Sequence, residues 1–233
     1  MSDDPYEKIG TVLDRFQEAH FWIHMLEQHY HSADPFRWHL NVFIKAIKEV
    51  PQLIKMTLQN EKGFKAWYVP HRTRLVADPL LSVLLKRRDF IVHQGMLKLD
   101  SRGTIGITEG RGIKLGIGIP IGPLEDSDAA MERFLHVVNK QGDFFEILKE
   151  DEDSMICVFR QWRLPEFGDE IVNVCAAAWL RTGETIAEVL RWLGTEPLPL
   201  SLDCRHSGQR VQFKLYNRDK LKARLAELRN VDA

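Results

Sequence analysis

The sequence predicts an α+β protein, mainly α: an N-terminal four-helix up-and-down bundle followed by a smaller mixed part with a short antiparallel β-meander and helices. Three observations carry this. Apolar residues recur at helical spacing through the first 95 residues. Eight of the fifteen glycines lie between Gly95 and Gly122, and in that stretch apolar residues alternate with small or charged ones at period two.

The first helix is expected from about Pro5 to His31, because Ile9, Val12, Leu13, Phe16, Ala19, Ile23, Leu26 and Tyr30 keep helical spacing. Asp34-Pro35, a cap followed by a first-turn proline, opens a second helix carrying Phe36, Leu40, Phe43, Ile44, Ile47, Ile54 and Leu58. Pro51 is expected to kink it, since proline removes a backbone hydrogen bond and crowds the preceding turn. Gly63 breaks the pattern before a short segment with Phe64, Trp67 and Tyr68, and Asp78-Pro79 opens the fourth helix. Four antiparallel helices in succession make an up-and-down bundle the economical arrangement.

Beyond Gly95 the pattern turns to strands. Ile113, Leu115, Ile117 and Ile119 alternate with Lys114, Gly116 and Gly118, while Asp100-Ser101-Arg102-Gly103 and Glu109-Gly110-Arg111-Gly112 read as tight turns, so three short strands are expected. The glycines fit close packing of a twisted hairpin on another backbone better than a phosphate cradle, because no Gly-x-Gly-x-x-Gly or Gly-Lys-Ser/Thr occurs. Asp126-Ser127-Asp128 caps a helix through Met131, Phe134, Leu135 and Val138. Met155 to Trp162 reads as a strand, and Asp169 to Leu193 as a helix that Thr182-Gly183 could divide. A hairpin around Ser207-Gly208 and a basic amphipathic helix with Leu221, Leu225 and Leu228 complete the chain. The boundary falls near residue 95, giving domains 1–95 and 96–233, with one composite domain as the alternative.

A net charge of −1 provides no global field for nucleic acid, so any polyanion site must be a local patch. Glu125 to Asp153 holds ten acidic and three basic residues, and Asp203 to Ala233 eight basic and four acidic. These segments read as solvated faces, or the last helix as a basic patch for RNA or an acidic partner. No apolar run approaches the roughly 20 residues that span a bilayer and the N-terminus is acidic, so the expectation is a cytoplasmic protein with no membrane segment. Cys157, Cys175 and Cys204 stand far apart without a CxxC pair, which argues for reduced thiols and against structural zinc.

Residues with chemical potential are few. His20 and His24 lie four apart on one helix, with His29, His31 and His39 nearby, but one helix edge supplies only two metal ligands and no carboxylate or cysteine pattern completes a site. Neither a metal nor a cofactor is expected. The tryptophans and Tyr68 fit core positions, and Ser82, Ser101, Ser154, Ser201 and Ser207 lack an elbow or a recognisable base. The segment Arg88-Asp89-Phe90-Ile91-Val92-His93 is different. On an ideal helix from Leu80, the residues Leu80, Leu81, Leu84, Leu85, Ile91 and Val92 form one apolar arc with Arg88 near its middle. A guanidinium there must be paired, sit at a subunit interface or meet an anionic ligand. Arg15 and His20 repeat the Arg-x4-His spacing, so the context carries the signal.

Phe36-Arg37-Trp38-His39-Leu40-Asn41-Val42-Phe43, Phe64-Lys65-Ala66-Trp67-Tyr68, Asp78-Pro79-Leu80 and Arg88-Asp89-Phe90-Ile91-Val92-His93 together resemble the HEPN superfamily over roughly residues 34–95. The resemblance implies metal-independent RNA cleavage by 2′-hydroxyl attack, with His93 as acid/base, Arg88 on the scissile phosphate and Asp89 orienting them. It also implies a homodimer and, for toxin-like members, an antitoxin or partner protein. An imidazole near its ordinary pKa of about 6.5 can serve either proton-transfer role, and a guanidinium fork matches phosphate. Two alternatives stand beside it. One is a non-catalytic interaction or nucleotide-binding module acting through homodimerisation or a partner, and the other a small-molecule enzyme with its site between the strands and the helices after Asp126.

Overall fold

The computed structural model describes residues 4–84, 86, 99–109, 112–141, 155–201 and 211–231. Arg88, Asp89 and His93 lie outside the described residues. The protein is α+β and mostly helical with a four-stranded antiparallel sheet, the coarse class expected from the sequence. Two compact units interleave along the chain: Met1–Gln28, Pro35–Lys98 and Leu164–Arg205 form one, and His29–Asp34, Leu99–Arg163 and His206–Ala233 the other.

In the first unit the expected opening helix divides into α1 (Pro5–Lys8) and α2 (Gly10–Gln28) at Ile9, whose φ of −105° and ψ of 20° leave the helical basin. The buried face of α2 is Val12, Phe16, Ala19, Ile23 and Leu26, as its spacing requires. α3 (Ala33–Leu58) runs through Pro51 as one helix, and Tyr68 Oη donates to the Pro51 carbonyl at 2.9 Å. Gly63, at φ 86°, supplies the left-handed turn before α4 (Phe64–Ala77). Asp78 then accepts from the backbone N–H of Leu80 and of Leu81, both at 2.9 Å, and so caps the helical residues 79–84 behind Pro79.

The four-helix bundle expected from residues 1–95 is not confirmed. A helix from the other end of the chain, here α6 (Ile171–Trp192), packs on α2. Trp179 stacks on Phe16 with ring centroids 4.4 Å apart and donates its indole N–H to the Phe16 carbonyl at 3.1 Å. Thr182-Gly183 does not divide α6. The Thr182 hydroxyl bonds back to the Ala178 carbonyl at 2.8 Å, and a Cβ at Gly183 would lie 2.9 Å from Phe16 Cζ, so glycine admits a close approach rather than ending the helix.

The second unit holds β1 (Asp100–Glu109), β2 (Gly112–Ile119), β3 (Ile156–Arg163) and β4 (Phe213–Tyr216) in the order β2-β1-β3-β4, every pair antiparallel. The expected turn at Asp100–Gly103 is strand instead. Asp100 to Gly103 are ladder partners of Arg163 to Arg160, and this pairing of a central strand overrides local turn preference. β1 and β2 form the expected glycine-rich hairpin, in which a Cβ on Gly106 would stand 2.3 Å from the Leu115 carbonyl oxygen. Ile105, Ile107, Ile156 and Val158 pack with α5 (Ser127–Gln141), through Met131, Phe134 and Leu135, and with α7 (Arg218–Val231), through Leu221 and Leu228. Among the described residues no helix is long and apolar enough to cross a membrane.

Candidate functional site

Two polar constellations are built into the described residues, one in each unit. The first is a cleft of about 210 Å³ lined by His71, Arg74, Leu75, Asp78 and Leu81 on one side and Arg181, Glu184, Thr185 and Glu188 on the other. Its construction is helical. His71, Arg74, Leu75 and Asp78 follow i, i+3, i+4, i+7 spacing along α4 and its cap, and Arg181, Glu184, Thr185 and Glu188 repeat that spacing along α6, so each helix contributes one stripe.

Glu188 Oε2 gathers two donors. His71 Nδ1 lies 2.6 Å away and Arg74 Nη2 2.7 Å away. The same Nδ1 lies 2.5 Å from Arg74 Nη2, so it faces both a carboxylate that only accepts and a guanidinium that only donates, while Nε2 makes neither contact. The ring plane is fixed by Trp67, which stacks on His71 with centroids 4.0 Å apart and itself lies 5.6 Å from Trp192. At the other end Arg181 Nη1 donates to both oxygens of Asp78, at 2.7 and 2.6 Å. Three carboxylates, Asp78, Glu184 and Glu188, face two guanidinium groups, so the carboxylates of the lining outnumber its guanidinium groups.

The second constellation centres on Arg160 and His31. Arg160, on β3, is fully buried: Nε donates to Ser101 Oγ and Nη2 to the Gly122 carbonyl, each at 3.0 Å, and the guanidinium stands 3.7 Å from the Trp162 ring centroid. Burial pushes its pKa down to about 10, against the pull of Tyr30, Asp126 and Glu125, and it stays charged at neutral pH. His31 Nε2 lies 3.0 Å from the Val211 carbonyl and Nδ1 2.8 Å from Ser127 Oγ. The carbonyl cannot donate, so Nε2 carries the proton and the serine hydroxyl donates to Nδ1. Burial, then the nearby Lys214 and Arg160 cations, push the His31 pKa down to about 4. A serine hydrogen-bonded to a neutral imidazole has the makings of a nucleophile, but Ser127 is fully buried and no substrate atom can reach it. This cluster ties backbone to backbone. Asp126 Oδ1 accepts from Ala33 N at 2.5 Å and Ser127 N donates to the His31 carbonyl at 3.0 Å, which explains why α3 begins one residue before Asp34.

The sequence-based candidates fare unevenly. Arg88, Asp89 and His93 have no described geometry. His20 stacks on Trp179 at 4.8 Å, and His24 Nδ1 lies 3.5 Å from Glu27 Oε2. Among the described residues no three His, Cys, Asp or Glu side chains converge as a metal site. Trp162 and Trp179 are core, whereas Trp38, expected there too, is 57% exposed. Sequence reasoning missed His71, Glu188, Arg160 and Ser127. The signal for the first pair was present, in a charged i, i+3, i+7 stripe, Arg181-Glu184-Glu188, along a helix otherwise rich in Val, Ala, Leu and Ile.

A family model described as bacteriophage lambda protein ea47 matches residues 5–121, half of the chain. The resemblance to HEPN proteins is thereby corrected, since no HEPN family model matches. Its quoted segments are short and share the apolar and aromatic spacing that any packed helix needs, and an Arg-x4-His pair recurs at Arg15 and His20. No curated protein and no solved structure matches the chain.

Proposed function

The chain belongs to the bacteriophage lambda protein ea47 family, and we propose that it binds a small polar ligand in the cleft between α4 and α6 and exchanges a proton with it at His71 Nε2. One observation carries this reading: an imidazole stacked on an aromatic ring and bonded to a carboxylate lines an open cleft whose other polar groups are, apart from Thr185, charged side chains of both signs. In this reading the Nδ1 proton is directed at Glu188, and Nε2 then carries a lone pair suited to accept a proton from a ligand hydroxyl or ammonium. At about 210 Å³ the cleft lies below the roughly 300–1,000 Å³ typical of drug-sized ligands, so a small molecule or the terminal group of a larger one is the fitting occupant.

The acidic balance of the lining selects among ligands. Arg74 and Arg181 already face carboxylates, so a bare polyanion would displace Glu188 or Asp78 at a cost. A zwitterion or an amine-bearing polyol meets both signs instead, with its cation near Glu184 and its acceptor near an arginine. RNA, the ligand expected from Arg88 and His93, therefore draws no support from this cleft.

Ligand-observed NMR with a panel of zwitterions, amino sugars, sugar phosphates and short RNA tests the reading. Binding of a zwitterion or amine is expected to weaken at least tenfold in His71→Ala and in Arg181→Ala. Binding that survives both substitutions, or that is confined to RNA, would overturn it.

A further inference from the structure

We infer that the outward face of α4 docks an acidic amphipathic helix of another protein. Phe64 and Tyr68 are buried on the inward side of α4, while Ala66, Val69, Pro70, Thr73, Val76 and Ala77 are all exposed. At about 100° per residue these six fall within an arc of about 120° and form one stripe about 16 Å long. Val69 and Val76 are 55% and 60% exposed within it. Thr73 spends its hydroxyl on its own helix, donating to the Val69 carbonyl at 3.1 Å, so the stripe is apolar in character. A helix with apolar residues on opposite faces ordinarily buries both. At the N-terminal end of the stripe Ala66, Val69 and Pro70 line an open groove of about 600 Å³ together with Gln59, Glu61 and Lys65, room for a leucine side chain of the occupant.

Charge selects the occupant. α4 contains no Asp or Glu. Lys65 and Arg72 border the stripe on one side, both exposed and without an ion pair among the described residues. Arg74 borders the other, its charge shared with Glu188 at 2.7 Å. Glu61, the carboxylate lining the groove, is held by Lys8 Nζ at 2.6 Å. An apolar stripe between cationic borders matches a helix whose own apolar stripe runs between carboxylates. A second copy of this chain does not match. A two-fold pairing of α4 with itself sets Lys65 and Arg72 against their own copies when antiparallel, and against Arg74 when parallel. A lipid surface is met by Trp, Phe or Leu, whereas this stripe offers only Ala, Val and Pro. Nucleic acid phosphates would engage the cations and leave the valines uncovered.

Fluorescence anisotropy on the full chain with two labelled synthetic peptides of about 18 residues, long enough to form helix, tests this. Both carry leucine at i, i+3, i+4 and i+7, and their flanks are glutamate in one and lysine in the other. The glutamate peptide is expected to bind and the lysine peptide is not. Val69→Asp should weaken the glutamate peptide at least tenfold with an unchanged circular dichroism spectrum, since Val69 is exposed. Lys65→Glu/Arg72→Glu should reverse the preference, so that the lysine peptide binds and the glutamate peptide does not, a gain that loss of folding cannot produce. Failure of the glutamate peptide to bind, equal binding of the two peptides, or an unreversed preference in the double variant would overturn the inference. So would phosphatidylglycerol vesicles bound by the parent and released by Val69→Asp, or a mass in light scattering that doubles with concentration and returns to 27.0 kDa in that variant.

Discussion

The guanidinium of Arg160 stands 3.7 Å from the ring centroid of Trp162, two residues along the same strand, and both side chains are fully buried. The arginine spends Nε and Nη2 on Ser101 and the Gly122 carbonyl, and Nη1 has no hydrogen-bond partner among the described residues. Trp162 in turn donates its indole N–H to the Tyr30 carbonyl at 2.7 Å. A cation is thus held by dipoles and an aromatic face in place of a bonded carboxylate, an arrangement whose desolvation cost is large and whose hydrogen bonds return part of it.

The consequence is an unequal response to substitution. Arg160→Ala removes the packing and leaves the Gly122 carbonyl buried without its donor, and is expected to cost about 2–4 kcal/mol. Arg160→Met keeps most of the volume and removes the buried charge, so its cost should be smaller by at least about 1 kcal/mol. Urea denaturation of the two variants and the parent chain checks this. Equal losses in both variants would mean that the charge itself, and not the filled volume, stabilises β3.

Acid should destabilise the second unit through His31. Its pKa is about 4 in the folded protein against 6.5 for the free side chain, so between those values the unfolded chain takes up a proton that the native one refuses. Stability attributable to this group is intact above about pH 6.5 and falls as pH drops toward 4, by at most about 3 kcal/mol. Asp128 is held below the usual carboxylate range because, although burial raises it, bonds from Lys214 and Tyr216 outweigh burial, and its own loss begins only at lower pH. Urea midpoints between pH 7 and 4.5 should fall steeply in the parent and less steeply in His31→Gln. Parallel slopes would exclude His31 as the source.

Legibility followed locality. The buried face of α2, the hairpin of β1 and β2, the Asp78-Pro79 helix start and β3 were readable because each depends on residues close in sequence. Misreadings arose where a distant partner decides. Asp100–Gly103 has the composition of a turn, yet β3 claims it as strand. Asp126 has the composition of a cap for its own helix, yet its carboxylate caps α3. α6 supplies both the helix on α2 and half of the polar cleft, and nothing near His71 in sequence announces that Glu188 will lie 2.6 Å from it. Arg88 was conspicuous for the opposite reason, since a charge within a local apolar arc is visible without knowing any partner.

Gly106 offers a test of the hairpin. Alanine is ordinarily preferred to glycine within a strand by roughly 0.5–1 kcal/mol. Here a Cβ would lie 2.3 Å from the Leu115 carbonyl oxygen and 2.8 Å from Gly116 Cα, and backbone atoms of a paired strand cannot move aside cheaply. Gly106→Ala is therefore expected to destabilise by about 1–3 kcal/mol, whereas Gly118→Ala, with nothing within 4 Å of its Cβ, should be close to neutral. Thermal melts of the two variants read the difference, and a neutral Gly106→Ala would mean that the hairpin is less tightly coiled than described.

Asp78 joins stability to the chemistry of the cleft. One oxygen caps the helical residues 79–84 and both hold Arg181 Nη1. A serine can still cap but cannot neutralise the arginine. Asp78→Ala should cost about 1 kcal/mol from the lost cap, and Asp78→Ser only a few tenths, because the partly exposed ion pair contributes little. Both substitutions leave two carboxylates facing two guanidinium groups and free Arg181, so both should raise affinity for inorganic phosphate several-fold while lowering it for an amine-bearing ligand. Calorimetric titration with phosphate separates the two effects. Enhanced phosphate binding in Asp78→Ser without loss of stability would place the control of ligand charge in the Asp78–Arg181 pair, and unchanged binding in both variants would show that Arg181 does not face the ligand.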